Sequence, residues 1–180
     1  AILTHSAVSA NNGYIVDTVL PTVSSVAITS ATTGMQNNFL NADDVVSVTA
    51  TFNEIVRRTG SPQLTIVVGS TDRTATFASG SPSTTLEFKY TIQAGDNDTN
   101  GISIGADVLA LNSGTIRDLA GHNATLTHSA VSANTSYKVD TTAPTVNSFT
   151  LSDTELLVGD NATVTLVFSE AVASFSAADI

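Results

Sequence analysis

Apolar and polar side chains alternate along most of this chain, and that spacing constrains its fold more than any other feature. The segment TLEFKYTI places Leu86, Phe88, Tyr90 and Ile92 on one face and polar residues on the other. A period of two residues is the repeat of a β-strand that is buried on one side. Thr, Val and Ile dominate such segments, and β-branched side chains favour strands. No segment shows a helical period, so the pattern predicts an all-β protein.

Clusters of Gly, Asn, Asp and Ser-Pro separate the alternating segments and are typical of turns. The strands predicted between these clusters lie at residues 22–29, 45–53, 63–69, 73–78, 85–92, 101–117 (interrupted) and 124–139. Seven short antiparallel strands in about 120 residues are typical of a β-sandwich.

A long segment of the sequence occurs twice. Residues 3–23 and 126–146 are identical at 16 of 21 positions, and the nine residues LTHSAVSAN are repeated without change. Asp17 and Asp140 are equivalent positions of the two copies, 123 residues apart. A period of this size matches a whole small domain rather than a solenoid repeat.

The two equivalent aspartates predict the domain boundaries. Residues 18–140 then form one complete domain, residues 1–17 are the last strand of a preceding domain, and residues 141–180 are the first strands of a following one. The tail supports this division, because VTATFNEIV in the complete domain is echoed by VTLVFSEAV near the end of the chain. Glu54 and Glu170 are equivalent in that comparison.

Charge and composition exclude several classes of partner. The chain has 6 Lys and Arg against 16 Asp and Glu, a formal net charge of −10. Nucleic acids and anionic lipids require a basic surface that such a chain lacks. No apolar run is long enough to span a membrane, so we expect neither nucleic-acid binding nor membrane insertion by this segment. The absence of cysteine excludes disulfides and thiolate chemistry, while the acidic excess favours cation binding.

One loop contains the beginning of a calcium-binding motif. The sequence GDNDTNG provides Asp96, Asp98 and Asn100 at alternate positions and a glycine at the bend, and Asp107 occupies position twelve, where a Glu is usual. Flanking helices are not predicted, so this would be a calcium loop in a β setting. A polar hairpin turn is the alternative, because Asp, Asn and Gly are also turn residues.

Strand direction predicts a further oxygen-rich site. In a seven-stranded antiparallel sandwich the first strand leaves one pole beside Asp17, the second returns to it with Glu54, and the sixth brings Asp118 to the same place. Three carboxylates at such short distances repel one another unless a cation neutralises them, and oxygen ligands suit Ca²⁺. We therefore expect Asp17, Glu54 and Asp118 to bind calcium.

The same strand count predicts a second calcium site at the opposite pole. The loop after the fifth strand should lie there, which places Asp96 and Asp98 near Asp140 and, across the linker, near Glu170. Calcium at each domain junction would stiffen the linker and couple external calcium to the extension of a rod.

Other functional residues are weakly indicated. His5, His122 and His128 are separated and do not form the converging set that zinc requires. Arg57 and Arg58 are the only adjacent basic residues; a solvated loop is predicted for them, with a weak anionic contact as the alternative. The sequence contains no G-x-S-x-G motif and no recognisable Ser/His/Asp catalytic set, so we do not expect an enzyme.

Three segments carry a resemblance to a known family. In order, they are FNEIVRRTGSPQLTI, LEFKYTIQAGDNDTNGISI and GTIRDLAGHNATLTHSAVSANTSYKVDTTAPT. Together they resemble the bacterial immunoglobulin-like repeats of giant surface adhesins and related large extracellular repeat proteins. One position departs from the family, whose repeats often read Asp-x-Ala-Gly-Asn: here His122 follows Gly121, and Asn123 stands one place later.

The resemblance implies an immunoglobulin-like antiparallel sandwich that serves as a tandem, calcium-stabilised extender at the bacterial cell surface. Its partners would be neighbouring repeats, and a host-cell or biofilm ligand would bind other domains. The alternatives are a module that binds a glycan or a protein through its end loops, and a subunit that forms a filament by strand complementation. The lack of Trp and the presence of only three Tyr disfavour a sugar-binding platform.

Overall fold

The computed structural model describes residues 4–31, 39–173, 175 and 176. Its regular structure is β-strand, apart from one turn of 3-10 helix at Thr135–Tyr137, which confirms the prediction of an all-β protein. Within these residues, no helix is long and apolar enough to cross a membrane. The chain divides after Asp140 into two compact units, which are described one at a time.

The first unit contains a large and a small sheet. The strands are β1 (Val23–Ala31), β2 (Phe39–Leu40), β3 (Val45–Thr59), β4 (Gln63–Val68), β5 (Thr71–Ser79), β6 (Ser83–Thr91), β7 (Asn97–Asp98), β8 (Leu109–Ala110), β9 (Thr115–Arg117) and β10 (Lys138–Asp140). The large sheet has the antiparallel order β1-β3-β6-β5-β4-β8, and β9 pairs with the second half of β3. The small sheet has the order β2-β10-β7, in which β10 is parallel to β2 and antiparallel to β7.

Both sheets contribute to one hydrophobic core. Leu40 and Val139 of the small sheet belong to the same buried cluster as Val48 and Phe88 of the large sheet. Two sheets that enclose a shared core form a sandwich, as in immunoglobulin-like domains. Each fully buried aliphatic or aromatic side chain of this kind contributes about 1.5–3 kcal/mol to folding.

The predicted strand faces agree with the observed burial. On β6, Leu86, Phe88 and Tyr90 are buried, whereas Lys89 is exposed and Glu87 is half-buried. Apolar residues two positions apart are likewise buried on β3 and β4: Val46, Val48, Ala50, Phe52, Leu64, Ile66 and Val68.

One departure from the predicted strands is the length of β3. It continues to Thr59, because its second half pairs with β9 in the register that places Arg57 opposite Arg117. The prediction that Arg57 and Arg58 lie in a solvated loop is therefore wrong.

The strand predicted at residues 124–139 is also interrupted. Single bridges at Thr125 and Val131 precede the 3-10 turn, and only Lys138–Asp140 forms a strand. Asn134 explains the last part of the interruption, because its side chain accepts a hydrogen bond from the Ser136 amide at 3.0 Å and caps the 3-10 turn. Such a local bond competes with a strand ladder.

Residues 4–17, the described part of the segment predicted to close a preceding domain, contain no strand. Their apolar side chains are exposed, including Val8, Tyr14 and Val16 at 92%, 83% and 85%. The second unit consists of a hairpin of β11 (Val146–Leu151) and β12 (Val164–Phe168). Its apolar side chains are also largely accessible, and Phe149 is 58% exposed.

Candidate metal centre

Three carboxylates of the first unit lie together at one end of the sandwich. Asp17 precedes β1, Glu54 lies within β3, and Asp118 directly follows β9. One oxygen from each side chain lies within 4.8 Å of the others. Within the described ranges, no other group of three or more His, Cys, Asp or Glu residues meets this spacing. The structure therefore brings together the three carboxylates that strand direction placed at one pole.

Asn53 ties the segment after Asp17 to β3. Its side-chain oxygen accepts a hydrogen bond from the Thr22 amide at 2.7 Å, and its side-chain nitrogen donates to the Leu20 carbonyl at 3.3 Å. Asp17 itself accepts a hydrogen bond from the Val19 amide at 3.0 Å. Because Asn53 is the neighbour of Glu54, these bonds hold the two carboxylates close to each other.

A tight turn after β9 holds Asp118, whose side chain is 1% exposed. One carboxylate oxygen accepts the amides of Gly121 and His122 at 2.6 and 2.8 Å, and the other lies 2.7 Å from Nδ1 of His122. Gly121 has φ +102°, a conformation that few other residues adopt. Burial alone would raise the pKa of Asp118, but the amides and the imidazole outweigh it and lower the pKa. Asp118 is therefore an anion at neutral pH.

Glu54 lies where the β3–β6 ladder changes register, between Thr51 and Val56. Its Oε1 atom is buried without a hydrogen-bond partner among the described residues. Burial raises the pKa of Glu54, and the charges of Asp17 and Asp118 raise it further, against a smaller opposing effect of His122. A buried polar atom without a partner is costly, so this oxygen is the least satisfied part of the cluster.

The donor set determines which ions fit. All three side chains offer carboxylate oxygens, which are the ligands that Ca²⁺ and Mg²⁺ prefer, whereas softer metals favour sulfur and nitrogen. Three carboxylates provide fewer than the six to eight oxygens that Ca²⁺ usually takes, so water or backbone carbonyls would complete its shell. The imidazole of His122 is hydrogen-bonded to the carboxylate of Asp118 and orients it toward the cluster.

In the loop that contains GDNDTNG, the carboxylate of Asp96 is held by other groups of the protein. Its carboxylate accepts the Tyr90 hydroxyl at 2.6 Å and the Gln93 amide at 2.9 Å, and it forms an ion pair with Arg73. Burial alone would raise the pKa of Asp96, but these donors outweigh it and lower the pKa. Burial and then Asp96 raise the pKa of Tyr90 to about 12. This aspartate therefore connects β5, β6 and the loop.

The other residues of that pattern are also engaged separately. Asp98 accepts the Gly69 amide at 2.7 Å with one oxygen and the Gly101 amide at 2.7 Å with the other. Asp107 accepts the His128 amide at 2.7 Å, and Asn100 is exposed. The structure does not gather Asp96, Asp98, Asn100 and Asp107 into one site, and it favours the alternative of a polar turn.

The remaining predicted ligands, Asp140 and Glu170, belong to different units. Within the second unit, Oε1 of Glu170 is buried without a hydrogen-bond partner among the described residues, as is Oε1 of the equivalent Glu54. Sequence reasoning missed the roles of Asn53 and His122. The hydrogen-bond partners of Asn53 lie in the segment before β1, and the partner of His122 is Asp118, in the turn after β9.

Comparison with known proteins supports the fold and a broad family. Residues 140–180 match the family model of a bacterial Ig-like domain, a family of structural, non-catalytic domains. No curated protein and no solved structure shows a significant match to the chain. The match supports a bacterial immunoglobulin-like repeat in that part of the chain.

Proposed function

We propose that this chain is a structural extender of a large bacterial adhesin, at the cell surface or secreted, and that calcium makes it rigid. The observation that carries the proposal is the cluster of Asp17, Glu54 and Asp118, in which a buried oxygen of Glu54 has no hydrogen-bond partner among the described residues. The match of residues 140–180 to a bacterial Ig-like domain supports a structural role.

A divalent cation would relieve the two unfavourable features of this cluster. It would neutralise three negative charges that lie within a few ångströms of one another, and it would supply a ligand contact to the buried oxygen of Glu54. Asp118 is already ionised and oriented by its hydrogen bonds. Calcium would also fix the segment that contains Asp17 against β3 and β9, which would stiffen the entry of the chain into the domain.

Calcium binding is tested by isothermal titration and by thermal melting of the whole chain, with and without chelator. We expect millimolar calcium to raise the melting temperature, because a ligand at 100 times its Kd stabilises the native state by about 2.7 kcal/mol. Glu54→Gln should abolish most of this increase. The matched control is Asp72→Asn, which removes an exposed carboxylate of β5 far along the sequence from the cluster. A melting temperature that does not change on addition of calcium would contradict calcium binding and would favour a spacer without metal.

The duplicated segment favours a tandem arrangement or strand complementation between subunits. In the first unit, the copy at 127–139 packs on the core: Val139 is 1% exposed, and Val131 exchanges two backbone hydrogen bonds with Ile104, at 2.8 and 2.9 Å. Residues 4–16 carry nearly the same sequence, but they have no such partner among the described residues. We propose that they close another domain of the same fold.

Adding a second copy of residues 18–125 directly before Leu3 tests this role, because it supplies the missing partner strands for residues 4–16. We expect hydrogen exchange to show protection of the Val8 and Asn11 amides in the extended chain but not in the original one, because the equivalent amides of Val131 and Asn134 donate to Ile104 and Ile102. Val8→Asn in the extended chain should reduce the protection. Equal exchange at Val8 in both chains would contradict the proposal.

A further inference from the structure

Two arginines face each other on the ladder that joins β3 to β9. Arg57 is the direct partner of Arg117 in this register, and both side chains are exposed. With Arg58, they account for three of the six Lys and Arg residues in a chain whose net charge is −10. Basic residues are therefore concentrated on one short ladder.

The arrangement is unfavourable for the free protein. Side chains directly opposite each other in an antiparallel pair have Cβ atoms about 4.5–5.5 Å apart, and like charges there destabilise the pair. The ion pairs of the described residues involve Arg73, Lys89 and His122, so Arg57 and Arg117 are not neutralised by a carboxylate in that set. Arg58 differs, because it lies on the other face of β3 with its guanidinium 4.0 Å from the centroid of the Phe77 ring.

The exposed face of this ladder carries hydrogen-bond donors. The Nε group of Arg117 donates to the Asn123 side-chain oxygen at 2.8 Å. This bond orients the guanidinium and uses neither of its two terminal nitrogens. Thr59 and Thr115 are the next pair on the same face, and their hydroxyl oxygens lie 2.8 Å apart. The face therefore presents two guanidinium groups beside two hydroxyls.

Arg57 has no basic equivalent in the repeated segment. When β3 is aligned with β12 through VTATFNEIV and VTLVFSEAV, the position of Arg57 is occupied by Ala173. Glu54, by contrast, keeps its equivalent in Glu170. The repeated segment therefore does without an arginine at this position, which favours a role for Arg57 in binding rather than in folding.

We propose that Arg57 and Arg117 together bind a single oxyanion group, a carboxylate, sulfate or phosphate, and that Asn123 positions Arg117 for it. Guanidinium groups bind such anions through paired N–H···O bonds, and the bound charge would remove the repulsion between the two arginines. The net charge of −10 opposes the approach of a polyanion. The site therefore suits a free anion or one anionic group on an otherwise uncharged molecule, and it is independent of the calcium proposal.

Titration of the ¹⁵N-labelled chain followed by NMR tests the site. One arm uses sodium sulfate and the other glucuronate, which carries one carboxylate on a sugar; sodium chloride keeps the ionic strength constant, and glucose controls for the sugar. We expect saturable shifts at residues 57, 59, 115, 117 and 123. Arg57→Ala and Arg117→Ala should each weaken binding about tenfold, because hydrogen bonds to charged groups are worth that much. Asn123→Ala should weaken it less, and the control Lys89→Ala should not.

Thermal melting gives a second readout that does not depend on NMR assignment. Arg57→Ala should not lower the melting temperature of the free chain, because it removes a repulsion. It should, however, lose the part of the stabilisation by sulfate that comes from binding at the site, whereas Lys89→Ala should keep all of the stabilisation. Saturation by sulfate alone would support a site for free anions, and saturation by both probes would support a carried anionic group. Shifts that are linear, or that persist in Arg57→Ala and Arg117→Ala, would overturn the proposal.

Discussion

The nine residues LTHSAVSAN occur at 3–11 and at 126–134, but the described residues of the first copy are exposed, whereas the second copy contributes to a domain core. Val16 is 85% exposed, and its equivalent Val139 is 1% exposed. The difference arises from the partners that surround each copy, because the second lies against Ile102 and Ile104 through backbone hydrogen bonds. A strand-forming sequence is therefore not sufficient for a buried strand.

The histidines of the two copies show the same difference at the level of single bonds. His128 accepts a hydrogen bond from the Val108 amide through Nε2 at 3.0 Å, and its Nδ1 lies 2.9 Å from the Ser129 carbonyl. The second contact requires a proton on Nδ1, so this bonding specifies one neutral tautomer. Among the described residues, His5 makes only the equivalent local contact, with the Ser6 carbonyl at 3.1 Å.

Substitution of the equivalent valines should give the largest contrast. Val139→Asn should lower the free energy of unfolding of the first unit by about 3–5 kcal/mol, because it loses a buried apolar side chain and buries an amide. Val16→Asn should change it by less than about 0.5 kcal/mol. Denaturant unfolding measures both values, and equal losses would show that the first copy is packed as firmly as the second.

Substitution of the equivalent histidines should give a smaller contrast. His128→Ala leaves the Val108 amide without its acceptor and should cost about 1–3 kcal/mol. His5→Ala removes an exposed side chain and should stay within about 0.5 kcal/mol. The same unfolding experiment checks both. A neutral His128→Ala would mean that solvent replaces the bond to Val108 without cost.

The contribution of Glu54 to the pH dependence of stability should be the smallest of these effects. The pKa of Glu54 is raised in the folded chain by burial and by the charges of Asp17 and Asp118, so the native state binds this proton more tightly than the unfolded state. The stability of the calcium-free chain should therefore fall as the pH rises from about 4.5 through the raised pKa. Glu54→Gln should remove that part of the profile, measured by melting in chelator.

Asp118 has the opposite linkage, which separates the two carboxylates experimentally. Its pKa is lowered because the amides and the imidazole of His122 outweigh its burial. Its contribution to stability is present above the ordinary Asp pKa of 3.8 and is lost as the pH falls below that value. If Glu54→Gln altered only this acidic limb, the assignment of the raised pKa to Glu54 would be wrong.

Much of the candidate site follows from the sequence, but not through its most conspicuous motif. The convergence of Asp17, Glu54 and Asp118 was predictable from strand direction alone. GDNDTNG is ambiguous at the level of sequence, because a calcium loop and a polar turn use the same residue types; in the structure Asp96 is engaged by Arg73 and Tyr90. Calcium at the three converging carboxylates remains a prediction.

The sequence by itself determined the all-β class, the inward faces of the strands and the equivalence of the two copies, because side-chain alternation and repetition are properties of the chain read in order. Only the tertiary structure decided that one copy contributes to a core, that Arg57 faces Arg117, and that a buried oxygen of Glu54 has no hydrogen-bond partner among the described residues. Each of these depends on a register or a contact between segments far apart in sequence, where a shift of one residue exchanges the faces of a strand.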